Sequence, residues 1–296
     1  GGGAGGAGGG EACAGPLAFA DAALEAAVRE AVGMPDGPLL PADVASLDFI
    51  DARYRDIQSL SGLDCISSLI ALDLTGNLVT DVTPLSSLTE LSYLELGSNQ
   101  ISDIAPLSSL LQLEHLGLSN NAISDVTVVG AMTELLTLRL IANPIGDLGP
   151  LGSLVNLTQL YLGGAPLPTL APLAGLEALH VLVANDAGIS DISALSTMTN
   201  LRQVLLTSPH LRSVSALEPS SPVLHHALEQ LGVRPVAPRR QPEHRRRGLP
   251  ERGRQPDRLR RSGEQHRRAQ GAWNEPRLDL SLTPPPARRS FIVGRR

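Results

Sequence analysis

Lysine is absent from this chain of 296 residues, and aromatic residues make up only 2% of it. Any core must therefore be aliphatic, which the 42% hydrophobic content allows. Cysteine is scarce as well, with two residues, so a dense disulfide framework is excluded. No apolar run approaches the roughly 18 residues that a membrane-spanning helix needs, and we expect no transmembrane segment.

The net charge of −6 conceals two regions of opposite sign. Residues 1–218 hold six Arg against 23 acidic residues, whereas residues 219–296 hold 18 Arg against seven. The chain opens with GGGAGGAGGG, which is typical of a flexible linker and not of a signal peptide, and we predict a linker over residues 1–15. Such a lead would suit an exported protein held by an anchor upstream, a lipid for example. An expression scar or a fragment explains it equally well.

A sequence unit recurs every 22 residues between about residue 48 and residue 217, which makes close to eight units. One column is Asn, at Asn77, Asn99, Asn121 and Asn143. Upstream of it, Leu pairs such as Leu94 and Leu96 give the L-x-L of a short strand. Downstream, an apolar residue is followed by Asp in five units: Asp81, Asp103, Asp125, Asp147 and Asp191. Each unit is predicted to be one turn of a coil, because stacked turns bury their Leu residues in one continuous core.

The Asn column has a structural duty in such a coil, because a buried carboxamide can bond the backbone polar groups at each bend. Its loss at Ala165, Ala187 and Pro209 predicts looser geometry toward the C-terminal end. We expect the Asp column to accept bonds from nearby backbone N–H groups in the turns. A ladder of metal ligands is the alternative, but the D-x-D spacing of a calcium loop is missing.

The consensus L-x-x-L-x-L-x-x-N-x-I-x-D-I-x-P-L resembles the 22-residue leucine-rich repeat of the bacterial internalin-like family. The resemblance implies an α/β solenoid, a right-handed coil with a parallel concave sheet, over residues 48–217. Residues 16–47 resemble the helical N-terminal cap of that family. The family further implies a module that binds other macromolecules, commonly proteins, at a cell surface.

The cap is also supported by its own sequence pattern. Five apolar residues lie on one helical stripe: Ala23, Leu24, Ala27, Val28 and Val32. Asp21 is a suitable N-cap for this helix. A helix here would cover the first open turn of the core.

Strand residues that alternate with the inward Leu pairs face the concave side of the predicted sheet. Aromatic and Arg side chains most often carry interface energy, and several fall in this set. We predict a protein-binding surface there, against the alternative of an ordinary solvated face. Its candidate residues are Tyr93, Glu95, His115, Arg139, Gln159 and Tyr161. Val181, Val183 and Leu205 either extend this patch or contact a further segment.

Other chemistry finds little support in the sequence. We expect no catalysis, no cofactor and no metal, because nucleophile and phosphate-binding motifs are missing. Cys13 and Cys65 form a disulfide in one interpretation, which an exported protein would permit. In the other, Cys65 merely fills a column of small residues. The choice stays open at this stage.

Residues 218–296 form an Arg- and Pro-rich tail, predicted to be disordered if genuine. Such a tail could bind nucleic acid or an acidic surface. It also keeps a 22-residue echo, since Arg239 and His244–Arg246 match Arg261 and His266–Arg268. We therefore also hypothesise that much of it is repeat DNA translated out of frame, which would leave a frame-disrupted product without function. The main prediction is an exported or surface-attached, monomeric, non-enzymatic module that binds a protein.

Overall fold

The structure is a computed structural model that describes residues 13, 15–167, 169–185, 187–189 and 191–207. They all belong to the first of two compact units, residues 1–239. The predictions for the Gly-rich residues 1–12, for Pro209 and for the tail at 218–296 lie outside the described residues. Within the described part of the chain, no helix has the length and apolarity needed to cross a membrane.

Eight parallel strands form one sheet whose spatial order follows the chain. The strands are β1 Phe49–Asp51, β2 Ala71–Asp73, β3 Tyr93–Glu95, β4 His115–Gly117, β5 Thr137–Arg139, β6 Gln159–Gly163, β7 Val181–Asn185 and β8 Gln203–Thr207. Each residue pairs with the one 22 positions later, as Leu72 does with Leu94 and Leu94 with Leu116. This register confirms the predicted solenoid with a parallel sheet.

Short 3-10 helices run along the side of each coil opposite the sheet. They span Leu63–Cys65, Thr83–Ser87, Ala105–Ser109, Thr127–Ala131, Gly149–Ser153, Ala171–Leu173 and Ser193–Ser196. Pro occupies the first turn of four of them, at Pro84, Pro106, Pro150 and Pro172. Pro fits there because the first N–H groups of a helix have no partner within it.

The core between sheet and 3-10 helices is aliphatic, as the lack of aromatic residues requires. One column of it comes from the sheet, where Leu72, Leu94, Leu116, Leu138, Leu160 and Leu182 are all fully buried. Every coil adds similar Leu, Ile or Val residues from its return path, so the core has no boundary between coils. Truncating one such Leu to Ala would cost roughly 2–5 kcal/mol.

The Asn column forms the buried ladder that the sequence predicts. Asn99 Nδ2 donates to the carbonyl oxygens of Leu96 in its own coil and Leu74 in the preceding one, both at 3.0 Å. Its Oδ1 accepts the N–H of Val79 at 3.0 Å. The other three members repeat these contacts: Asn77, Asn121 and Asn143. Each Asn therefore satisfies the bend of its own coil and ties it to the previous coil.

The Asp column has the turn role expected of it. Asp81, Asp103, Asp125, Asp147 and Asp191 each accept the backbone N–H two residues later, at 2.7–2.9 Å. Thr169 replaces Asp in one coil, and its Oγ1 accepts the N–H of Ala171 at 3.0 Å. Hydrogen bonds from the Thr83 and Thr127 side chains, followed by these backbone bonds, hold the pKa of Asp81 and Asp125 below its usual range, and the backbone and side chain of Ser193 do the same for Asp191.

The coils with Ala165 and Ala187 in the Asn slot satisfy their backbone groups differently from the Asn coils. Strands β6 to β8 have five residues each, whereas β1 to β5 have three. The N–H groups that an Asn side chain would bond there donate to backbone carbonyls instead: Ile145 to Asn143 at 2.9 Å and Leu167 to Ala187 at 2.5 Å. Backbone carbonyls thus take the acceptor role of the missing Asn side chains, and looser geometry at Ala165 and Ala187 stays a prediction.

The predicted cap helix is α1, Ala22–Val32, and a second short helix, α2, spans Pro41–Val44. Asp21 is the N-cap of α1, since its Oδ1 accepts the N–H groups of Ala23 and Leu24. Its other oxygen, Oδ2, accepts the N–H groups of Gln58 and Ser59 in the first coil. Burial raises the pKa of Asp21, but these four backbone donors outweigh it and hold the pKa below its usual range. Asp21 thus starts the helix and fastens it to the first coil.

The structure also answers the question that the sequence left open for the two cysteines. Cys13 and Cys65 form a disulfide, with 5.5 Å between their Cα atoms. Cys65 ends the first 3-10 helix, so the bond fixes the segment before α1 to the first coil. The interpretation of Cys65 as only a small filler was wrong.

Candidate functional site

The candidate residues lie on the outward side of the sheet, which we call the sheet face. It has two rows of side chains, one from each outward position of the strands. The first row is Phe49, Ala71, Tyr93, His115, Thr137, Gln159, Val181 and Gln203, and the second is Asp51, Asp73, Glu95, Gly117, Arg139, Tyr161, Val183 and Leu205. The structure places all six predicted residues on four successive strands, β3 to β6.

Glu95 joins two of the predicted residues. Its Oε1 lies 2.6 Å from Nε2 of His115 on the next strand. A carboxylate only accepts hydrogen bonds, so Nε2 is the nitrogen that carries the proton. The Tyr93 ring stacks on the His115 ring, with centroids 4.4 Å apart and planes inclined by 12°. These three side chains hold one another in place without a ligand.

Gly117 allows Glu95 to extend further across the sheet. In the register, Gly117 lies between Glu95 on β3 and Arg139 on β5. A Cβ atom at Gly117 would collide with the Glu95 carboxyl group. Over this gap Glu95 Oε1 comes within 3.4 Å of Arg139 Nη1. Glu95 is only 8% exposed. Its carboxylate is nevertheless balanced by the Arg139 guanidinium on one side and the His115 imidazole on the other.

Sequence reasoning missed Gly117. A glycine without a side chain gives no sign of a role on a recognition surface. The only signal was its place in the second outward row, between an acidic and a basic residue at the same repeat position.

Arg139 connects this group to the remaining two residues. Its guanidinium carbon lies 5.4 Å from the centre of the Tyr161 ring, which is within the range of a cation–π contact. The Tyr161 hydroxyl donates to Gln159 Oε1 at 2.9 Å. The six predicted residues therefore form one connected set of side chains.

The N-terminal end of the sheet face is acidic. Asp51 pairs with Arg53 at 2.6 Å, and this hydrogen-bonded pair holds the pKa of Asp51 below its usual range. Asp73 is less well compensated, since Arg53 is 3.6 Å away. Burial raises the pKa of Asp73. Hydrogen bonds from Thr75 lower this pKa, and the charge of Glu95 raises it. Burial, followed by the charges of Glu95 and Asp73, raises the pKa of Tyr93 to about 12.

Among the described residues, the one group of three metal-ligating side chains that lie close together is Cys13, Asp64 and Cys65. A metal needs the thiolate form of cysteine, and both sulfurs are here engaged in the disulfide. This cluster therefore does not suit a metal ion. In the Asp column, likewise, one carboxylate oxygen of each residue accepts a backbone N–H in a turn.

Comparisons with known proteins agree with this architecture. A family model of two leucine-rich repeats matches residues 89–130. A search of curated proteins finds no match. The fold and the repeat define a leucine-rich repeat protein, a class that generally consists of non-enzymatic scaffolds for protein interaction.

Among solved structures, internalin C2 from Listeria monocytogenes is 31% identical, with a TM-score of 0.56, and the match covers 67% of this chain and 100% of that one. The internalin InlF from the same organism is 26% identical, with a TM-score of 0.58 and 67% of this chain covered, and the match spans 66% of InlF. A leucine-rich repeat protein from Leptospira interrogans, at 21% identity and a TM-score of 0.54 over 65% of this chain and 56% of its own, shares the fold. The chain belongs to the internalin family of leucine-rich repeat proteins.

Proposed function

We propose that this protein is an exported, non-enzymatic module that binds a protein ligand through its sheet face, with Tyr93, Glu95, His115, Arg139, Gln159 and Tyr161 as the centre of the contact. The observation that carries the proposal is the connected set that these six side chains form across β3 to β6. Solenoids of this class use extended concave surfaces for binding.

The physical advantage of such a set is preorganisation. Binding normally costs about 0.5–1.5 kcal/mol for each flexible side chain that becomes fixed at an interface. The stack of Tyr93 on His115 and the contact of Arg139 with Tyr161 fix these side chains before a ligand arrives. Tyr and Arg are also among the residue types that dominate interface energies.

The disulfide supports the exported location. Disulfides such as Cys13–Cys65 form and persist in oxidising compartments outside the cytosol. Attachment to a surface, through an anchor upstream of the Gly-rich residues 1–12, is part of the same proposal.

The test compares two double variants of the full chain against an array of purified extracellular protein domains. The sheet-face variant is Tyr93→Ala with Arg139→Ala. The matched control is Tyr54→Ala with Arg202→Ala, which removes the same residue types from exposed positions outside the sheet face. We expect a ligand whose affinity falls at least 100-fold in the first variant and less than threefold in the control. A ligand that binds both variants equally well would contradict the proposal.

The charge of the tail favours a second candidate function, nucleic-acid binding through the Arg-rich residues 234–268. Steep salt dependence, and loss of RNA or DNA binding when 234–268 is deleted, would support it. Sequencing the DNA for residues 205–296 tests the frame hypothesis. Another frame that continues the repeat would remove this candidate.

A further inference from the structure

The sheet face changes character from its first strand to its last. On β1 to β3 the second outward row presents three carboxylates, those of Asp51, Asp73 and Glu95. Arg53 is the guanidinium near the first two, and Arg139 is the one near Glu95. On β6 to β8 the outward positions hold no charged residue, and they present Tyr161, Val181 and Leu205. One end is therefore acidic and the other is apolar.

Among the described residues of the acidic end, the carboxylate of Asp73 accepts the Thr75 N–H at 3.0 Å but lacks a close cationic partner. Arg53 is bound to Asp51 through two contacts, at 2.6 and 2.9 Å, and reaches Asp73 only at 3.6 Å. Glu95, in contrast, has both His115 and Arg139. The side chain of Asp73 is 15% exposed, so it is partly desolvated and still accessible. A cationic side chain of a partner would form a charge-assisted hydrogen bond with the Asp73 carboxylate, and such bonds are strong where the groups are partly desolvated.

We infer that the sheet face takes an extended protein segment that crosses the strands, with a Lys or Arg side chain over Asp73 and an aliphatic or aromatic side chain over Val181 and Leu205. This inference rests on the proposed function and specifies the partner. Complementary charge favours a basic group at β2, and the uncharged rows of β7 and β8 favour an apolar one.

The fold also sets the separation of these two anchors. Neighbouring strands lie about 4.8 Å apart, so five or six spacings separate β2 from β7 or β8, or roughly 24–29 Å. An extended chain advances about 3.3 Å per residue, so the two anchors should be about seven to nine residues apart. The fixed Glu95–Arg139 group lies between them and gives the segment a polar middle.

The experiment is selection of random 16-residue peptides displayed on phage against the immobilised full chain. The library is first depleted on the Tyr93→Ala, Arg139→Ala variant, which removes peptides that bind the tail or other surfaces. We expect at least tenfold enrichment of peptides with Lys or Arg seven to nine residues from a large apolar residue. On an Asp73→Arg variant the basic preference should change to Asp or Glu while the apolar preference remains.

Two further variants make the result specific. Asp73→Asn keeps an acceptor for the Thr75 N–H and should weaken the basic preference at least threefold without disturbing the fold. Asp81→Arg places the same new charge on an exposed turn off the sheet face. This variant should leave the basic and apolar preferences of the selected peptides unchanged. Peptides that need the sheet face but show no basic preference, or the same one on Asp73→Arg, would overturn this inference alone. An absence of peptides that prefer the native chain to the depletion variant would overturn it together with the proposed function.

Discussion

The coils of β1 to β5 and those of β6 to β8 have the same period, but their bends are stabilised differently. In the first group, Asn77, Asn99, Asn121 and Asn143 tie the bends that follow β2 to β5 to the preceding coil through buried or half-buried carboxamides. In the second group the slot holds Ala165 and Ala187, and two further residues of each strand join the sheet. A repeat of fixed length can thus satisfy the N–H groups at its bends either through Asn side chains or through backbone carbonyls, as Ile145 and Leu167 do.

The difference matters because a solenoid is stabilised by contacts between neighbouring coils. The first group carries three additional restraints, which are the ladder, the disulfide and the Asp21 contacts of the cap. The chain has two cysteines in total, so the second group can have no disulfide of its own. We therefore expect the N-terminal coils to be the more stable part, and four predictions test this.

The largest effect is expected from the disulfide. Replacing Cys13 and Cys65 with Ser opens a link across 52 residues. In the loop-entropy treatment, such a link is worth about 4 kcal/mol. Urea unfolding followed by circular dichroism should show this loss, and a reductant should lower the native chain to the same level. The reductant must leave the double Ser variant unchanged, and equal midpoints for all samples would refute the prediction.

The ladder should rank second. Asn99→Ala removes three donated bonds and one accepted bond. It leaves backbone groups of Leu74, Leu96, Gly97 and Val79 without these partners. We expect a loss of about 3 kcal/mol in the free energy of unfolding. Asn156→Ala is the matched control, because this exposed Asn donates a single bond to Thr133. A similar loss in both variants would show that the ladder has no special role.

The repeat made much of this comparison predictable. A period of 22 fixes which residues share a column, so the aliphatic core, the Asn ladder and the outward position of Tyr93 or Arg139 follow from the sequence. Residues that share a column therefore occupy the same environment in their coils. The stack of Tyr93 on His115 could not be derived in the same way, because it depends on side-chain rotamers and not on register.

The sequence left the disulfide of the first coil as one of two interpretations, and it did not reveal the role of Gly117. Cys13 lies outside the repeat, so no column relates it to Cys65. Gly117 has no side chain, and its importance arises only from where the Glu95 carboxylate goes. The backbone bonds of Ile145 and Leu167 were missed because the loss of Asn says which bonds are lost and not which ones replace them.

The third prediction concerns the cap and its pH dependence. Asp21→Ala removes a carboxylate that four backbone N–H groups contact, and we expect a loss of about 1–2 kcal/mol at pH 7. Since the folded pKa of Asp21 is depressed, its contribution is complete above the unfolded pKa of about 3.9 and is lost as pH falls through the folded value. Unfolding measured from pH 7 to pH 2 should therefore show the two chains converging in stability. Asp81→Ala, which removes a contact to one turn only, should cost less, and a constant gap across this range would contradict the assignment.

The smallest effect should come from restoring the ladder where it stops. In an Ala165→Asn variant, the new Nδ2 would donate to the carbonyls of Leu140 and Leu162, and Oδ1 would accept the N–H of Ile145. That N–H now bonds the carbonyl of Asn143 at 2.9 Å. Because this N–H already has a backbone acceptor, we expect a gain of only about 1 kcal/mol, with slower hydrogen exchange at the Ile145 amide. Ala165→Asp is the matched control, since it offers acceptors but no donors and should give no gain. If the Asn variant is no more stable than the native chain, the backbone carbonyls of Asn143 and Ala187 have replaced the ladder fully, and the two groups of coils are equivalent solutions to one bend.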